Sequence, residues 1–128
     1  MAQLLIVRWH YTLMKFRTDS EIAPDLREAV TQFLVPLRTM QPTDVRAFDC
    51  LHSLVVELMR SYKGSDRVSK SLLHELYSVP RVISAELEHR PAERQILEQM
   101  AQKLEVCFGL LLLGEVPEDR KPGVPRII

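Results

Sequence analysis

Four stretches of this chain carry large aliphatic or aromatic side chains at every third or fourth residue, and proline or glycine falls near their ends. That spacing lines the side chains along one face of an α-helix, which turns once in about 3.6 residues. In the first stretch Leu26, Val30, Phe33, Leu37 and Met40 follow Pro24, with Pro36 predicting a kink. In the second, Phe48, Leu51, Val55, Leu58 and Tyr62 run to Gly64, with Thr43 as the expected N-cap and Asp44 in the first turn. Gly64 supplies a left-handed stop. The third stretch, Val68, Leu72, Leu76, Val79, Ile83 and Leu87, is expected to start at a Ser65 cap and to end near His89. Pro80 interrupts it without changing the apolar phase, which predicts a kink near Leu76 rather than a break. The fourth opens with Pro91 in its first turn and carries Ile96, Leu97, Met100, Leu104, Cys107, Phe108 and Leu111 to Gly114.

Rods with one apolar stripe bury it against each other, so the pattern predicts an all-α, four- to five-helix bundle in a single domain over residues 1–114. Residues 115–128 hold three prolines and a glycine and read as an irregular, mobile or surface-hugging tail. The fifth helix depends on residues 1–17. There Leu5, Val7, Trp9, Tyr11 and Leu13 alternate as in a strand, while Leu5, Trp9, Leu13 and Phe16 also share a helical face. The helical reading is favoured, because a lone strand cannot satisfy its own backbone and the other strand-like pieces, 79–83 and 124–128, are short.

Composition narrows the function classes. Seventeen basic residues balance seventeen acidic ones, so no net field draws the chain to nucleic acid, anionic lipid or an acidic substrate. The longest uncharged apolar run, 106–113, is far below the roughly 18 residues of a membrane helix. Arg8, His10 and Lys15 interrupt the apolar start, which therefore does not read as a signal peptide. Cys50 and Cys107 fall in helical stretches and suit a reducing, cytoplasmic setting.

Reactive constellations are incomplete. A carboxylate-bridged metal centre in a bundle needs two Glu-x-x-His pairs, and only Glu86 with His89 has that form, off the apolar stripe. Cys50 and His52 point in different directions on a helix and cannot converge on a metal, although Cys50 could approach Cys107 if their helices pack together. The four glycines form no phosphate-cradling loop, and no strained turn presents a nucleophile. The expectation is a non-enzymatic chain with no cofactor and no metal site. Two alternatives stand beside it. One is a metal-dependent bundle enzyme. The other is a small DNA-binding transcriptional regulator, with a helix-turn-helix forced onto Ser69–His89, Tyr77–Pro80 as its turn and Arg81–His89 as its reading helix. Glu86 and Glu88 on that helix oppose phosphates.

Two places carry more apolar surface than a small bundle needs. The run Val-Cys-Phe-Gly-Leu-Leu-Leu-Leu at 106–113 is apolar all round, so it must be covered on every side, by the rest of the subunit as a central helix or by another chain. The N-terminal stretch has the aromatic, basic composition of an interface core. Candidate interface residues are therefore Trp9, Tyr11, Phe16, Phe108, Leu111, Leu112 and Leu113. The expected role is protein–protein interaction, as a self-associating adaptor, chaperone-like or inhibitor-like protein, with a homodimer as the simplest assembly.

Overall fold

The computed structural model describes residues 17–119. Four α-helices follow in order, with no strand among the described residues: α1 Asp19–Arg38, α2 Val45–Ser61, α3 Lys70–Glu86 and α4 Arg94–Leu112. Short 3₁₀ turns at Leu87–His89 and Pro91–Glu93 join α3 to α4, and another at Pro117–Asp119 follows α4. The strand-or-helix question at the N-terminus lies outside the described residues.

The chain forms two helical hairpins. α1 packs on α2 and α3 on α4, and the hairpins then stack so that α1 lies beside α3 and α2 beside α4. The stripes meet in one core, where Ile22, Leu26, Phe33, Leu37, Leu51, Leu58, Ile83 and Leu97 are fully buried. Phe33 and Phe48 join the first hairpin across that core, with ring centres 5.5 Å apart. Each such side chain contributes about 1.5–3 kcal/mol through removal from water.

Several boundaries differ from the sequence expectation. α1 begins at Asp19, five residues before Pro24, because Asp19 and Glu21 suit the exposed N–H groups of a first turn. It ends at Arg38, so Met40 is not on the stripe. Met40 instead takes the left-handed position after the helix (φ 61°) and is 67% exposed. The Gln41 amide donates to the Pro36 carbonyl at 2.9 Å, closing the six-to-one turn that ends many helices. The N-cap of α2 is Asp44, not Thr43; its carboxylate accepts from the Ala47 amide at 3.0 Å. α3 begins at Lys70 rather than after Ser65, whose hydroxyl is engaged with Arg67 in the preceding loop. It then runs unbroken through Pro80 to Glu86.

Among the described residues, one charged side chain sits in this interior. Arg90, 7% exposed, reaches from between the two 3₁₀ turns to the far end of α1. Its Nη2 donates to the carbonyls of Pro36 (3.2 Å), Leu37 (3.0 Å) and Gln41. Nη1 pairs with Glu93 at 2.6 Å, and the other Glu93 oxygen accepts from the Thr43 amide at 3.0 Å. The hydroxyl and amide of Thr43 are the main causes that hold the Glu93 carboxyl below its usual range, and Arg90 adds to them against desolvation. Only the amide meets hydrogen-bond geometry; Thr43 Oγ1 is buried without a partner, as is Arg90 Nε.

The opposite end is closed by polar contacts. Tyr62 Oη donates to Asp19 at 2.5 Å and accepts from the Ser69 amide at 3.4 Å, tying the loop between α2 and α3 to the start of α1. Gly64 N donates to the Gly114 carbonyl at 2.9 Å. Arg17 reaches Glu57 at 3.4 Å, while Arg60 pairs with Glu118 at 2.6 Å and Lys63 with Asp119 at 3.1 Å. The described part of the expected tail, residues 115–119, therefore packs on the bundle, with Val116 buried in the core.

Candidate functional site

α4 needs glycine at its end, because Gly114 has φ 69° and a Cβ there would lie 3.2 Å from the Gly64 nitrogen. Steps of about 100° per residue set which side chains of the last two turns face inward. Leu104, Cys107, Leu110 and Leu111 do, and Leu111 is 1% exposed. Leu111 therefore belongs to the core and offers no surface to a partner. Phe108 is half-buried, tilted against Tyr77 with ring centres 6.1 Å apart. Leu112 and Leu113 are 56% and 52% exposed, and Val106 is 56% exposed. The subunit itself therefore covers five of the eight residues of this run and leaves Val106, Leu112 and Leu113 exposed, so it does not bury the run as a fully enclosed central helix. Trp9, Tyr11 and Phe16 lie outside the described residues.

Val106 precedes Leu113 by seven residues, so the two share a face, and Gly109 lies between them. A Cβ added at Gly109 meets nothing within 4 Å, so packing within the subunit does not demand a glycine there. The result is an aliphatic surface, Val106, Leu112 and Leu113, around a stretch of bare backbone.

Beside it runs a groove of about 410 Å³ between α2 and α4. Val106, Cys107, Leu110 and Pro117 form its apolar part, with Gln99, Gln102 and Lys103 along the same helix and His52 on the other wall. His52 stacks on Phe48, and its Nε2 lies 3.7 Å from Cys107 Sγ. Burial first, and the charge of Lys103 second, push the His52 pKa down against Asp49, while burial pushes the Cys107 thiol up. Both groups are therefore neutral near pH 7, and the pair is not the thiolate–imidazolium couple that activates a nucleophile. This contact does not follow from spacing along the chain; it depends on α2 and α4 being neighbours.

The other sequence candidates do not converge. Cys50 is exposed, Cys107 is buried and both are free. Glu86 ends α3 while His89 lies in the following 3₁₀ turn. Among the described residues no three His, Cys, Asp or Glu side chains are grouped to hold a metal ion. The Tyr77–Pro80 turn of a helix-turn-helix is absent, because α3 is continuous through it. No helix of the described residues is long and apolar enough to cross a membrane.

Comparisons with family models, with curated proteins and with solved structures found no match. What defines the chain is its class, an all-α bundle with an exposed aliphatic end on α4.

Proposed function

We propose that this protein works without catalysis, by protein–protein interaction in the cytoplasm, and that its first partner is a second copy of itself. The observation that carries the reading is the exposed surface of Val106, Leu112 and Leu113 around Gly109. Exposed aliphatic side chains scattered singly need no explanation, but three on adjoining turns around bare helix backbone form a place where another helix can approach closely. A two-fold pairing would bring the same patch of both subunits together. An adaptor, chaperone-like or inhibitor-like role would use the same surface for another protein.

Sedimentation equilibrium tests it. A concentration-dependent dimer is expected, and Leu112→Glu, at an exposed position, is expected to return it to monomer with its circular dichroism unchanged. A strict monomer at high micromolar concentration removes self-association. Loss of the helical signal in Leu112→Glu would mean that the residue belongs to the interior after all.

A further inference from the structure

Several concave surfaces lie on the described bundle, three of them lined by residues of the helices and their ends. In the one lined by Arg17, Glu57 and Arg60 the charges are matched, Arg17 by Glu57 and Arg60 by Glu118. The one beside Tyr77 and Phe108 contains a cation and a carboxylate, Arg81 and Glu105, with Arg81 already stacked 3.8 Å over the Tyr77 ring. The groove between α2 and α4 differs from both. No Asp or Glu lines it, and its one full charge, Lys103, has no carboxylate within ion-pair distance among the described residues. Its volume of about 410 Å³ falls in the range of small-molecule sites.

We propose that this groove binds a small carboxylic acid with an aliphatic or aromatic body, its carboxylate on Lys103 and the Gln102 amide and its body over Val106, Leu110 and Pro117. The charge pattern selects the head group. A monoanion matches the single ammonium, whereas a phosphate dianion would need a second cation that the lining lacks. The apolar floor selects the body, since each methylene removed from water adds to binding. The inner wall tolerates that body. His52 and Cys107 contact one another and are neutral near pH 7, so covering them buries no second charge. This inference stands apart from self-association, although Val106 belongs to both surfaces.

The full chain, labelled with nitrogen-15, is titrated with octanoate below its micelle concentration, with octanol and acetate in parallel. Saturable shifts are expected at Lys103, Val106, Leu110 and the His52 ring, with acetate giving none. Octanol should bind about three- to fivefold more weakly, the worth of one partly exposed ion pair. Lys103→Gln should bring octanoate down to the affinity of octanol and leave octanol unchanged, while Val106→Asp should abolish both. The two substitutions lie at exposed positions, and unchanged circular dichroism confirms the fold. Shifts that do not saturate, that map to another face, or that survive Lys103→Gln undiminished would overturn the proposal. Sedimentation of the ligand-free protein keeps the two readings apart: a ligand-free monomer that then binds octanoate supports the groove and refutes the dimer, and a ligand-free dimer that octanoate does not bind does the reverse.

Discussion

Replacing Arg90 with methionine keeps most of the side-chain volume and removes the guanidinium. The carbonyls of Pro36, Leu37 and Gln41 lose their donor, and Glu93 loses its partner at 2.6 Å. A hydrogen bond to a charged group contributes about 1.5–3 kcal/mol, and breaking a buried ion pair costs about 3–5 kcal/mol. Those figures are not additive here. The Glu93 side chain is 31% exposed and can be rehydrated, and the Pro36 carbonyl keeps the Gln41 amide. The expected loss is therefore near the low end, about 3 kcal/mol, a large part of the roughly 5–15 kcal/mol that holds a domain folded. It corresponds to a fall in Tm of about 10 °C.

Urea denaturation followed by circular dichroism measures the loss. Arg90→Lys should recover only part of it, because a point charge cannot serve Glu93 and three carbonyls as a planar fork does. Combining Arg90→Met with Glu93→Gln should show a coupling of about 1–2 kcal/mol. A loss below about 1 kcal/mol for Arg90→Met, or no coupling in the double variant, would refute the idea that this arginine locks the hairpins together.

The same network has an acid limit. The folded state holds the Glu93 carboxyl below its usual range, so its contribution is present above the unfolded value and is lost as pH falls through the depressed folded one. Glu93→Gln should flatten that acid limb in the pH dependence of urea midpoints. Tyr62 titrates in the opposite sense: burial and then its bond to Asp19 raise the phenol, so stability is lost as pH climbs past about 10. Tyr62→Phe should cost about 1–2 kcal/mol at neutral pH and remove that alkaline dependence. Gly109 within α4 and Gly114 just after it should respond oppositely in denaturant titrations. Gly109→Ala is expected to stabilise the subunit by up to about 1 kcal/mol, because the new methyl meets nothing. Gly114→Ala is expected to destabilise by about 1–2 kcal/mol through its left-handed backbone and the nearby Gly64 nitrogen.

The inward stripes were legible because burial of large side chains dominates helix phase. Leu26, Phe33, Leu51, Leu58, Ile83 and Leu97 all lie where the three-and-four spacing puts them. Helix ends were less legible, since they depend on single polar partners. Thr43 and Asp44 are both plausible caps by type; it is the Asp44 carboxylate that takes the Ala47 amide, while the Thr43 amide is held by Glu93 from fifty residues away. Met40 continued the spacing by coincidence, while the α1 terminus is sealed by Arg90, equally distant in the chain. At the end of α4 the reverse problem arose. Where every residue is apolar, composition carries no phase, and only projection from Leu104 and Cys107 separates buried Leu111 from exposed Val106, Leu112 and Leu113. The groove was hidden for another reason: its walls belong to different hairpins, and nothing in the order of residues says which helices become neighbours.

The ion pairs on the last turns of α2 have a mechanical corollary. Arg17 meets Glu57 and Glu118 meets Arg60, one turn further along, so the described chain starts and finishes at the same end of the bundle. Tension applied through residues 17 and 119 would load these contacts first and then peel the rods apart from that end, instead of shearing them along their lengths. Such an arrangement opens like a zip, a few contacts at a time, so the fold should yield to weak pulling even where it withstands heat or urea.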